Sequence, residues 1–70
     1  MSKIEWLDTF TINLNYYLEQ TEMSQRDLAM LTGLSEATIS NYVNRKQAPG
    51  FNAIRSIASA FGVTIEEFIG

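Results

Sequence analysis

The stretch MSQRDLAMLTGLSEATISNYVNRK, residues 23–46, decides the fold. Ser24-Gln25-Arg26-Asp27 has the form of a capping box, in which the first side chain and an acid three residues later satisfy each other's free amides. Leu28, Ala29 and Leu31 then face inward, so a helix is expected over about Gln25 to Leu31. Thr32-Gly33-Leu34 interrupts it. Gly33 suits the left-handed position past a helix end, where a Cβ would cost roughly 1–2 kcal/mol. Ser35 reads as the N-cap of the next helix, with Ile39, Tyr42 and Val43 on its buried stripe and Ala37, Ser40, Asn41 and Asn44 pointing away.

Upstream, Ile4, Leu7, Phe10, Leu14, Tyr17 and Leu18 recur at steps of three and four, one face of an amphipathic helix. Ser2-Lys3-Ile4-Glu5 is a capping-box pattern that would start this helix near Ile4, although Thr9 and Thr11 are weak helix formers that could detach its first turn. Downstream, Gln47 to Gly50 forms a loop punctuated by Pro49 and Gly50. Phe51, Ile54, Ile57, Ala58 and Phe61 predict a helix over about Asn52 to Phe61, closed by Gly62. Thr64-Ile65-Glu66-Glu67 is a third capping box and opens a short last helix with Ile65, Phe68 and Ile69. No period-two alternation lasts long enough for a strand, so one all-α domain of five helices is expected over residues 1–70.

The chain has 70 residues, no cysteine, no histidine and a formal charge of −3. At this length a single core barely offsets the entropy of ordering the chain, and a dimer interface would help. Without cysteine there is no disulfide or thiolate metal site, which suits a reducing compartment. The N-terminal residues lack the pattern of a signal peptide, and no apolar run is long enough to span a bilayer. A cytoplasmic chain with no cofactor, no membrane association and no evident small-molecule ligand is expected. Catalysis is disfavoured: only carboxylates and hydroxyls remain, and adjacent Glu66 and Glu67 on a helix do not face one another.

A helix-turn-helix demands a small residue where two helices approach, a residue tolerant of positive φ in the turn, and apolar anchors in the second helix. Counted from Gln25, Ala29 stands fifth, Gly33 ninth, Ile39 fifteenth and Tyr42 eighteenth, and the demands are met in register. With these residues the sequence resembles the lambda-repressor/Cro family of helix-turn-helix regulators, also called the XRE family. The resemblance spans about Phe10 to Ile69 and includes Arg45-Lys46 followed by Pro49, then Ile54-x-x-Ile57-Ala58 and Phe61-Gly62-Val63. The chain departs from the family in two places. Arg45 stands where many members have glycine, which makes Asn44 the candidate left-handed residue, and residues 1–9 extend beyond the usual start, as an arm or as a longer first helix.

The resemblance implies a prokaryotic or phage DNA-binding regulator, a small dimeric repressor or Cro-like switch protein on an inverted-repeat operator. The second helix of the motif would enter the major groove with Glu36, Ala37, Ser40 and Asn41 at base edges. Asn41 could bond adenine bidentately, Ala37 could touch a thymine methyl, and Ser40 could bond either kind of edge. Glu36 could accept from cytosine N4, or it could simply be a first-turn acid that suits the helix dipole. Phosphate contacts would come from Ser24 and Gln25, from Asn44, Arg45 and Lys46, and from the amides near Asn52. Phe68 and Ile69, with Trp6, are the candidate dimer interface.

An acidic chain is an awkward partner for DNA, but the charge is unevenly placed. From Ser24 to Arg55 there are four positive residues against two negative, and elsewhere one against six. With a screening length of about 8 Å at physiological salt, distant acids repel the duplex weakly. Modest affinity is expected, with a shallow salt dependence. The alternative is an interaction module of antitoxin or antirepressor type, which should show exposed apolar residues on the groove-facing surface.

Overall fold

The computed structural model describes residues 3–69, with side chains from Trp6 onward. Five helices follow in order: α1 (Lys3–Thr21), α2 (Gln25–Thr32), α3 (Glu36–Val43), α4 (Phe51–Ala60) and α5 (Ile65–Ile69). No strand occurs among the described residues. The capping box expected at Ser2 to Glu5 lies outside the side chains described. Residues 3–9 lengthen the first helix and do not form an arm. Thr9 and Thr11 leave α1 unbroken because Phe10, Leu14 and Leu18 are buried on its inner face, with Trp6, Leu7 and Tyr17 packed beside them. Burial of that face outweighs the few tenths of a kcal/mol that threonine costs a helix.

Local chemistry sets the ends of α2 and α3. Ser24 Oγ accepts the Asp27 N–H at 3.0 Å, and the Asp27 carboxylate accepts the Ser24 N–H at 3.1 Å, which completes the expected capping box. These bonds, with Arg26 as a smaller contributor, hold the Asp27 carboxyl below the usual carboxylate range. Ser35 Oγ accepts the Thr38 N–H at 3.0 Å and so caps α3. Gly33 closes α2 at φ 77°, its N–H donating to the Ala29 carbonyl at 2.9 Å. No neighbour lies within 4 Å of where its Cβ would stand, so the glycine is demanded by the backbone and not by crowding.

Left-handed residues follow α1, α3 and α4 too, and two of them are not glycine. Glu22 follows α1 at φ 56° and Arg45 follows α3 at φ 57°. Asn44, the expected left-handed residue, instead has φ −95°. Past α3, the Arg45 N–H donates to the Tyr42 carbonyl at 3.1 Å and the Lys46 N–H to the Asn41 carbonyl at 2.7 Å. That pair of bonds is a Schellman motif, whose geometry places the positive φ one residue beyond the cap. Gly62 fills the equivalent position after α4 at φ 75°. Helix α4 begins one residue earlier than expected because Gly50 serves as its N-cap. The Thr64–Glu67 capping box opens α5 as anticipated, with bonds of 3.1 and 3.0 Å.

The core joins Phe10 and Leu14 of α1, Leu28 of α2, Ile39 of α3, Ile57 of α4 and Phe68 of α5, all fully buried. An aromatic cluster organises one side of it. Phe10 meets the edges of both Tyr42 and Phe68, at ring separations of 5.8 and 5.6 Å, and Tyr17 stacks on Phe61 at 5.3 Å. Phe68 has no accessible surface. It therefore cannot offer itself to a second copy, and the expectation that placed it in a dimer interface is corrected. Burying its ring is what lets a five-residue helix hold its place.

Two asparagines of α1 complete the scaffold. Asn13 Nδ2 donates to the Phe68 carbonyl of α5. Asn15 Nδ2 donates to the Thr11 carbonyl at 2.9 Å and, more loosely, to the Val43 carbonyl of α3 at 3.4 Å. The last carbonyls of a helix have no partner within it, so these side chains supply donors where the chain would otherwise depend on water.

Candidate nucleic-acid interface

Helix α3 is anchored from beneath and free above. Ile39 and Tyr42 are buried, and Tyr42 is fixed by the edge contact with Phe10 of α1. On the opposite side Glu36 and Ala37 are exposed, while Ser40 and Asn41 are half-buried. These four stand at spacings of four (36 and 40, 37 and 41), which places them along one helical face. Glu36 occupies the first turn, where a carboxylate suits the free amides. Among the described residues, the large apolar ones that are exposed, Ile12, Tyr16, Met30, Leu31 and Phe51, all lie on other helices.

Around this face the expected phosphate ligands behave differently from one another. Lys46 is exposed and has no carboxylate partner among the described residues. Arg45 is engaged: its guanidinium lies 2.7 Å from Asp8 Oδ1 on α1, in a pair whose side chains are each about two-fifths exposed. Asn44 turns back onto the helix, its Nδ2 donating to the Ser40 carbonyl at 2.9 Å and lying 3.4 Å from Ser40 Oγ. Ser24 is occupied by its cap, and Gln25 is half-buried in the first turn of α2. Asn52 is exposed at the start of α4.

The N-terminus of α4 differs from those of α2, α3 and α5. Its N-cap, Gly50, makes no side-chain bond, and the first amide bonded within the turn is that of Ile54, to the Gly50 carbonyl at 3.1 Å. The preceding amides are thus left to water or an anion. Pro49 is buried just ahead of them and fixes the approach of the loop.

Two residues at this surface escaped the sequence reading. Gln47 accepts a bond from Asn41 Nδ2 at 3.3 Å. Asp8 holds Arg45 from a helix 37 residues away. The only signal for Asp8 was an acid placed on α1 in the flank that carries most of the negative charge. Gln47 had none, because its return to α3 depends on the turn at Arg45.

A buried-anchor helix held against a capped helix of equal length across a left-handed glycine, with a polar outer face, defines a helix-turn-helix DNA-binding domain. A helix-turn-helix family model of the Cro/C1 type matches residues 14–68, and the chain belongs to that family, the XRE family. Its fold is accordingly of the lambda-repressor type. Neither a curated protein nor a solved structure matches the chain significantly. No helix among the described residues is long and apolar enough to cross a membrane.

Proposed function

We propose that the protein is a sequence-specific transcription regulator of the Cro or repressor type, which binds an inverted-repeat operator as a dimer and reads it with α3. The observation that supports this most directly is the outer face of α3. It offers Glu36, Ala37, Ser40 and Asn41, with no large apolar side chain exposed among them. A protein-docking version of the same scaffold would instead present apolar surface there. In this reading Asn41 bonds adenine, Ala37 meets a thymine methyl, Ser40 bonds either kind of edge and Glu36 accepts from cytosine N4.

Backbone contacts hold the reading helix in register without carrying sequence information. Lys46 supplies a cation beside the reading helix. The hydroxyl of Ser24 and the amides at the starts of α2, at Gln25, and of α4, near Asn52, supply neutral donors, the amides aimed along helix dipoles. Arg45 contributes when it exchanges Asp8 for a phosphate, and Asn44 when its amide turns from Ser40 to the duplex. Two copies would place their reading helices about one helical turn apart, roughly 34 Å. Ile69 and Trp6, half-buried on the two helices that pack together at the chain ends, are the proposed contact between them.

Selection from a random-sequence duplex library, followed by titration of the enriched site at two salt concentrations, tests the proposal. An enriched inverted repeat whose affinity falls with salt is the expected result. Failure to enrich any motif, together with salt-insensitive binding, would refute it.

A further inference from the structure

The turn after α3 is tied to residue 41 twice. The backbone carbonyl of Asn41 accepts the Lys46 N–H at 2.7 Å, and its side-chain Nδ2 donates to Gln47 Oε1 at 3.3 Å. The first bond belongs to the Schellman closure of the helix, so the path of the turn is set by the helix end and does not depend on the Gln47 side chain. That path requires a left-handed residue at position 45. Arg45 takes it at φ 57°, and its side chain is held by Asp8 on α1. Gln47 is brought alongside the reading face although it lies in a loop.

The consequence comes from counting hydrogen-bonding atoms. An asparagine amide has two N–H donors and one carbonyl oxygen. Bidentate contact with adenine uses one N–H, toward N7, and the oxygen, toward the N6 amino group. The second N–H is left over. If it has no partner, the amide can flip and exchange oxygen for nitrogen, which presents the wrong pattern to the base. Gln47 Oε1 occupies that second N–H. Flipping Asn41 alone would set two carbonyl oxygens against each other, so the Asn41 amide turns over only if the exposed Gln47 amide turns with it, and an acceptor held at position 47 keeps the adenine-reading orientation.

We infer that Gln47 is a positioning residue for base recognition: by accepting from Asn41 it orients the Asn41 amide for adenine, so that specificity at that base pair depends on a side chain that touches no base. The inference rests on the DNA-reading function proposed above.

The experiment compares the wild-type chain with Asn41→Ala, Gln47→Ala, Gln47→Glu and the Asn41→Ala/Gln47→Ala double variant. Each is titrated against the selected operator and against duplexes with every single base-pair replacement. Gln47 is exposed, and equal thermal midpoints confirm that the variants share the fold. Asn41→Ala identifies the base pair it reads. Gln47→Ala should lower discrimination at that same pair by about 3- to 10-fold, the span of one net hydrogen bond, and leave the other positions alone. The double variant should discriminate there no worse than Asn41→Ala. Gln47→Glu retains an acceptor, so it should keep the discrimination while binding all duplexes more weakly, because its carboxylate repels phosphate. Loss of affinity by an equal factor on every duplex with Gln47→Ala would make Gln47 a backbone contact and overturn the inference, as would no change at all. If the wild-type chain itself selects no sequence, the DNA reading fails before any variant is measured, and the inference falls with it.

Discussion

Replacing Asp8 with asparagine should strengthen DNA binding, and the size of the effect follows from the pair it breaks. Asp8 and Arg45 are 2.7 Å apart with both side chains partly exposed. Such a pair contributes about 0–1 kcal/mol, so the folded state should lose little. For Arg45 to reach a phosphate it must give up that same amount, and freeing it is therefore worth up to about fivefold in affinity. The salt dependence is the sharper readout. In the wild type only the complexes that break the pair gain the Arg45 phosphate contact, so the variant should steepen the slope of log affinity against log salt by at most about 0.9 and make the gain up to about 3.5 times larger at 50 mM salt than at 200 mM. Fluorescence anisotropy with any labelled duplex suffices, since this contribution is independent of sequence. Asp8→Asn also removes one negative charge from the chain, and the same substitution in an Arg45→Ala background isolates that general effect. Equal gains in the two backgrounds, or an unchanged salt slope, would refute the idea that Asp8 competes with DNA for Arg45.

Phe68→Ala should remove about 3–5 kcal/mol, from a third to all of the roughly 4–10 kcal/mol available to a domain of this size, and chemical denaturation followed by helical circular dichroism should show a much lower midpoint or no folded baseline. An unchanged midpoint would contradict the burial of Phe68. Gly33→Ala should cost about 1–2 kcal/mol through backbone strain alone, read as a lowered thermal midpoint, because the structure leaves room for the methyl group. Asp27 has its carboxyl held below the ordinary range, so its contribution to stability is complete above the unfolded pKa and disappears as the pH falls through the lower folded value. Asp27→Asn should therefore flatten the acid limb of a stability–pH curve and destabilise the protein at neutral pH, which denaturation across that range would detect.

The parts of the fold legible in the sequence are those whose cause is local. Ser24, Gly33, Ser35 and Thr64 act within three or four residues of themselves, and the helix ends they predict fall within a residue of the observed ones. The left-handed conformations of Glu22 and Arg45 were not legible, because neither residue type favours them. Tertiary packing of α1 and α3 decides where those helices must stop, and the residue that happens to follow bears the strain. The depth of Phe68 was hidden for a different reason. Apolar residues near a chain end look alike whether they meet a core or a partner, and only the position of Phe10 and Tyr17 separates the two. At the interface, the outward face of α3 could be read from periodicity. The bonds from Asp8 to Arg45 and from Gln47 to Asn41 could not, since both require the turn after α3 to be known first.

The extension of α1 has an experimental use that follows from its composition. The chain contains one tryptophan, Trp6, and the helix carries it half-buried two residues before the aspartate that grips Arg45. The molecule thus has a native fluorophore on the brace of its reading helix, close in sequence to the contact that DNA would disturb. Its emission reports the state of α1 in unlabelled protein, and the three tyrosines elsewhere in the chain leave its signal separable by excitation at the red edge.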